Sequence, residues 1–221
     1  SEVTPRSLTT TNDYVGVYAS DTLELTDRLA LTLGGRCNYA NIEIINTGDP
    51  ALDDLNGVNE FKRFNPSAGL TYQVLPSLSV YGGYSEANRA PTASEIACSD
   101  PENPCIIESA LASDPPLKQV VSRTVESGLR GSTELNIGTL SWKRGGFRAR
   151  NDDDILAIPS NQLQGFGFFQ NVGSTRRQGI EAQVTLTSKA LQLYASYALV
   201  DARFLDALQL GSHSPFADIN G

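Results

Sequence analysis

Few residues of this 221-residue chain are of kinds that do chemistry, and their spacing argues against catalysis. His213 is the single histidine and stands beside Ser214-Pro215. A two-histidine metal site cannot form within the chain, and His213 reads as an exposed polar loop residue rather than a member of a triad. Asp152-Asp153-Asp154 would offer hard oxygen ligands to a divalent cation, but it reads better as a solvated strand-end cluster that keeps an edge from sticking. No nucleophile, base and orienting group come together. No catalytic and no metal residue is therefore assigned, no cofactor is expected, and the chain is not read as an enzyme. Cys98 and Cys105 flank the polar segment 99–104, which holds Pro101 and Pro104 and suits neither strand nor helix. A disulfide closing that loop would imply an oxidising compartment, and two unpaired thiols are the alternative. Zinc does not fit, because no second cysteine stands two to four residues away and no histidine is near. Cys37 lies alone in an alternating segment and reads as a small apolar side chain. Gly165-Phe166-Gly167-Phe168-Phe169 lacks the lysine and following helix of a phosphate loop. Its aromatics suit a membrane-interface girdle or a ligand-contacting loop, and Tyr14, Tyr18, Tyr39, Tyr81, Tyr84 and Trp142 read as interface residues too.

Composition bounds what could position such residues. Lys and Arg number 17 against 25 Asp and Glu, a formal charge of −8, and no basic run is present. A nucleic-acid partner is not expected. With 40% hydrophobic and 19% charged residues the chain is not disordered throughout. No apolar run approaches about 18 residues, so no transmembrane helix is expected, although a membrane β-barrel, whose strands alternate, stays open. The chain contains no Met, starts at Ser1 and shows no signal peptide. The expectation is a processed chain or a piece of a longer one, incomplete at its start.

Period two dominates the elements. Leu29, Leu31 and Leu33 point one way, and Ala30, Thr32, Gly34 and Arg36 the other. The same alternation is read near 14–20, 64–73, 78–85, 124–131, 135–142, 179–186 and 191–199. No segment longer than about ten residues has a 3.6-residue period. The fold class is all-β, an antiparallel meander of about nine or ten strands. Short turns are read at 26–28, 74–77, 131–133 and 188–190, and long loops at 45–62, 88–118 and from 203 onward. They alternate along the chain, the pattern of a transmembrane β-barrel with short periplasmic turns and long extracellular loops. The non-apolar face carries Arg36, Glu126, Arg130, Glu181 and Gln183 in mid-strand. Facing a solvated lumen they need no partners, whereas each would cost several kcal/mol unpaired in a dry core. An ordinary antiparallel sheet with one wet face is the rival.

The pieces in this order resemble the TonB-dependent outer-membrane receptors, in the later part of their β-barrel. Residues 14–36 look like that family's strand–turn–strand unit. Phe64-Asn65-Pro66-Ser67-Ala68-Gly69-Leu70-Thr71-Tyr72 and the segment Leu78 to Glu95, with its Pro91-Thr92 pair, are similar to family motifs, the second leading into a long extracellular loop. Asp114 to Gln119 with Thr124 to Gly128 looks like the re-entry from that loop. Asn151 to Ile155 adds a further match, and the most specific piece is Gln170 to Glu181, with Asn171, Gly173, Gly179 and Glu181 at the motif positions. The likeness covers about residues 12–220. Cys37 stands where the family usually has an aromatic, and Ala90 departs before the Pro-Thr pair.

The resemblance implies part of a barrel domain over 1–221, without a plug domain, an energy-coupling box or a terminal aromatic strand. The family's barrel has about 22 strands around a plug, so this chain alone is not expected to close a lumen or transport. In the complete protein the resemblance implies TonB-dependent uptake of a ferric siderophore or similar nutrient across the Gram-negative outer membrane. The partners would be outer-membrane lipid, an N-terminal plug, the TonB energy-coupling protein and a small iron chelate. The loop 88–118 is the candidate for ligand recognition, with Arg89, Glu95, Asp100, Glu102 and Lys118 as candidate contacts. Two alternatives remain: a truncated structural or interaction β-domain without transport, and a soluble secreted β-domain that binds carbohydrate or protein.

Overall fold

A computed structural model describes residues 7–48, 50, 55–99, 105–106, 117–159 and 166–206. Alternating apolar and polar residues carry the chain into long strands: β1 (Leu8–Thr26), β2 (Leu29–Asn46), β3 (Gly57–Leu75), β4 (Leu78–Arg89), β6 (Val120–Leu135), β7 (Gly138–Asp152), β10 (Ser174–Thr187) and β11 (Gln192–Phe204). These eight form one antiparallel sheet in the order β1-β2-β3-β4-β6-β7-β10-β11. A second, three-stranded sheet pairs β5 (Cys105–Ile106) and β8 (Ile155–Pro159) with β9 (Phe166–Asn171) between them. One short helix, α1 (Ala93–Ile96), follows β4. The expected nine or ten strands thus become eleven among the described residues. No helix among them is long and apolar enough to cross a membrane.

Register assigns each strand two faces. One carries Val15, Val17, Leu23, Leu31, Leu33, Phe64, Leu70, Val80, Val125, Leu129, Leu140, Trp142, Ile180, Val184, Leu193, Tyr197 and Leu199. Most of these are exposed, several by more than half. Cys37 lies on this face between Val17 and Phe64, and Asp21 and Arg144 interrupt its apolar run. The opposite face is polar. Buried apolar side chains gather away from the sheet's middle, near the long connections: Ile42, Ile44 and Ala97 in one cluster, Leu117, Val120 and Ile155 in another.

The structure differs from the sequence-based expectations at several points. The turn expected at 131–133 lies at Asn136-Ile137, so Leu135 belongs to β6 and not to β7. Gly138 permits it: its φ is +143° and its Cα lies against the Thr187 backbone. Gly131 instead stays in strand beneath the Trp142 ring, where a Cβ would come within 2.8 Å of that ring. The segment 88–118 is not wholly irregular, since it holds α1 and β5. A third long connection, 153–173, escaped notice because β8 and β9 leave the main sheet to build the small one. Phe168 and Phe169 therefore lie in that sheet, with Phe169 packed on Leu117, Val120 and Ile155, rather than in a girdle. Tyr14, Tyr18 and Tyr81 lie on the polar face, whereas Tyr39, Tyr84 and Trp142 lie on the apolar one.

Candidate functional site

The polar face begins from strand alternation. Arg36 lies opposite Tyr18 and Asn65, Glu126 opposite Gly83 and Phe147, and Arg130 opposite Ser79 and Lys143. Gln183 lies opposite Lys143 and Ser196, and Glu181 opposite Gly145 and Ala198. All five sequence-predicted residues therefore share one face. Glu126, Glu181 and Gln183 line a single depression with Tyr81 and Lys143. Two cations stack on tyrosines of this face: Lys143 Nζ in that depression, at 5.3 Å from the Tyr81 ring centre, and, outside it, the Arg36 guanidinium at 5.9 Å from that of Tyr18. Lys143 escaped the sequence reading because the misplaced turn hid its position in β7. The face is wet and mixed in charge, suited to holding a polar surface or hydrated ligand.

Above Ser67 and Ser85 the pairing of β3 with β4 stops, although β4 stays paired with β6 up to Arg89. Side chains fill the seam. Asn88 Oδ1 accepts from Asn38 Nδ2 at 2.8 Å and from Asn65 Nδ2 at 2.7 Å, and Asn88 Nδ2 donates to Gln119 Oε1 at 2.8 Å. Gln119 Nε2 donates to the Lys62 carbonyl at 3.3 Å. The Arg63–Glu86 ion pair, at 2.5 Å, lies in the same seam. Asn65 is 5% exposed; its Nδ2 is satisfied by Asn88, whereas its Oδ1 is buried without a hydrogen-bond partner.

The predicted recognition loop is anchored at both ends. Arg89 donates to both Glu95 carboxylate oxygens, at 2.6 and 3.1 Å. Glu95 also accepts from the Thr92 N–H at 2.7 Å, while Thr92 Oγ1 accepts from the Glu95 N–H, a reciprocal cap on α1. Two candidate ligand contacts thus satisfy each other. At the return, Lys118 Nζ lies 3.6 Å from Asp153. The Lys118 N–H donates to Asn171 Oδ1 at 2.8 Å. Asn171 Nδ2 donates to the Lys118 and Asp153 carbonyls at 3.1 and 2.7 Å. Asn171, a motif position, is the clamp that residue typing alone did not single out. Asp100 and Glu102 lie outside the described residues. Cys98 is buried and takes part in a disulfide, whereas Cys37 is free and exposed. Asp152, Asp153 and Asp154 turn to separate partners: Asp152 to Arg123 and Arg150, Asp153 to Lys118, and Asp154 to Thr175. No group able to hold a metal ion occurs among the described residues.

A family profile described as TonB dependent receptor-like, beta-barrel, matches residues 3–217. Among solved structures, the chain is similar to the alcaligin outer-membrane receptor FauA from Bordetella pertussis, at 18% identity and a TM-score of 0.61 over 92% of this chain and 32% of that one. It is similar to the ferric-catecholate import receptor Fiu from K12 E. coli, at 18% and 0.67 over 91% and 29%. It is also similar to the siderophore receptor PiuA from Acinetobacter baumannii, at 17% and 0.63 over 88% and 26%. At these identities the likeness is one of fold, and the chain spans about a third or less of each structure's length. No curated protein matches the chain.

Proposed function

The chain belongs to the TonB-dependent receptor-like β-barrel family, a non-catalytic family of the Gram-negative outer membrane, and from that premise we propose that it is a segment of a transmembrane barrel wall in a nutrient-uptake receptor. The observation that carries the proposal is the two-faced sheet. Leu23, Val17, Tyr197 and Leu199 are each 45% or more exposed on one face. An exposed face that is largely apolar suits lipid and would be an aggregation liability in a soluble secreted domain. The polar face, with Arg36, Glu126, Arg130, Glu181 and Gln183, would line the lumen against an N-terminal plug. The connections Asp27-Arg28, Pro76-Ser77, Asn136-Ile137 and 188–191 would face the periplasm. The connections 47–56, 90–119 and 153–173 would face outward.

In the complete protein this wall would serve TonB-dependent uptake of a ferric siderophore or similar nutrient. Cys98 would pair with Cys105 to staple the outer loop, whose span between the Arg89–Glu95 anchor and Lys118 would recognise the ligand. The test is growth on iron supplied only as defined ferric chelates. Deleting the gene is expected to abolish growth on one chelate class, restored by the wild-type gene only when TonB is active. Unchanged growth and unchanged radioactive iron uptake on every chelate would sink the iron-uptake reading. Peptide mapping of the unreduced protein should recover Cys98 and Cys105 in one linked fragment; two separately alkylated peptides would remove the staple.

A further inference from the structure

The sequence has no basic run, yet the register builds a basic row. Arg123 of β6 pairs with Arg150 of β7, Arg150 with Arg176 of β10, and Arg176 with Arg203 of β11. All four stand on the apolar face, at its long-connection end, and Arg148 stands one outward position below Arg150. Like charges directly opposite in a sheet repel. The row's own carboxylates only partly answer them: Asp152 takes Arg123 and Arg150, Asp201 takes Arg203 at 2.9 Å and Arg176 at 3.7 Å, and Glu86 divides between Arg123 and Arg63. Arg148 is exposed with no ion-pair partner among the described residues. Arg176 Nε is buried without an acceptor. In a chain whose net charge is −8, this is a local excess of guanidiniums.

Height identifies what the row meets. Arg150 stands about a dozen residues above Gly138, roughly 30 Å at strand rise and barrel tilt, while the apolar band of a membrane barrel is about 25 Å tall. Leu140, Trp142, Val184, Leu186, Leu193 and Tyr197 lie beneath it on the same face. The row is therefore level with lipid headgroups and continuous with the acyl-facing surface. Guanidiniums bind phosphate in a two-pronged geometry. We propose that this arginine row is a docking site for an anionic, phosphate-bearing lipid of the leaflet on the long-connection side. The site rests on the membrane-wall reading given above.

The test uses the whole protein extracted from outer membranes in mild detergent. Wild type is compared with a variant carrying Arg148→Gln, Arg150→Gln and Arg203→Gln, and with Arg28→Gln plus Lys189→Gln at the opposite rim. Heat-dependent gel mobility reports folding. A variant with Lys at the same three positions keeps the charge if the Gln variant does not fold. Native mass spectrometry is expected to find phosphorylated lipid retained by wild type and by the opposite-rim variant, and lost from the Gln variant. In micelles doped with phosphatidylglycerol, apparent affinity should fall about 100-fold, at roughly fivefold per basic residue near an anionic surface. The Lys variant should fall between the two, because charge remains and the two-pronged geometry does not. Equal retention by wild type and the triple variants overturns the proposal, as does displacement by millimolar inorganic phosphate, which marks a free-anion site, or a bound protein in place of lipid. Fluorescence quenching by lipid-attached quenchers, taken as the part that Trp142→Phe removes, separates the two readings. Absent quenching removes the membrane wall itself, and quenching with unchanged lipid retention removes only the docking site.

Discussion

Replacing Asn171 should unfasten the long connections where Lys118 and Asp153 meet while leaving the main-sheet strands intact. Its side chain makes three hydrogen bonds, accepting from the Lys118 N–H and donating to the Lys118 and Asp153 carbonyls. At about 0.5–1.5 kcal/mol net for each, Asn171→Ala should cost roughly 2–4 kcal/mol of local stability. Two kcal/mol is a factor of about 30 in an opening equilibrium. Hydrogen exchange of the detergent-solubilised protein should therefore quicken about 30-fold or more at residues 117–119 and 153–155. The middle of β10 and β11 should keep its wild-type rates, since Asn171 touches neither. Asn171→Asp keeps the acceptor for the Lys118 N–H but aims a carboxylate at two carbonyl oxygens, so it should protect no better than alanine. Exchange within threefold of wild type in Asn171→Ala would refute the clamp. Acceleration spread evenly over the sheet would refute its local character.

Three further substitutions probe other joints. Gly179 faces the Leu199 carbonyl, and a Cβ there would come within 3.1 Å of the Phe147 ring; Gly179→Val should cost about 1–3 kcal/mol through overpacking and lower the urea midpoint of unfolding, and an unchanged midpoint would count against that close approach. Asn88→Ala removes three bonds from the β3–β4 seam; exchange at 61–66 should rise about tenfold or more, and protection equal to wild type would mean the seam is held by other contacts. Glu95→Ala removes the Arg89 pair and the carboxylate that accepts from the Thr92 N–H, while Thr92 Oγ1 still caps the residue-95 N–H; at about 0.5–1.5 kcal/mol for each bond lost, protease cleavage between 90 and 119 should quicken while β11 stays resistant.

Strand alternation was readable because side chains on a strand point to opposite faces with period two. Leu31 with Leu33, Glu126 with Arg130, and Glu181 with Gln183 could each be assigned a common face from their own neighbours. The asymmetry of short and long connections was likewise legible from glycine, proline and aspartate clusters. Alternation does not reveal height along a strand. That depends on where each turn closes, and Gly131-Ser132 offered the same local signal as Asn136 to Gly138. Only the approach of the Thr187 backbone to Gly138, and the Trp142 ring over Gly131, decided between them.

Contacts between segments far apart in the chain were out of reach for the same reason. The Arg89–Glu95 pair lies within six residues, yet whether these groups meet a ligand or each other depends on the helix that Thr92 caps. Asn171 reaches back across 53 residues to Lys118. The residue types and their period determined an all-β chain with one polar and one apolar face. The tertiary structure decided which arginines share a level, because register is set by turns and neighbouring strands together, and one residue of slip would move every side chain to the other face.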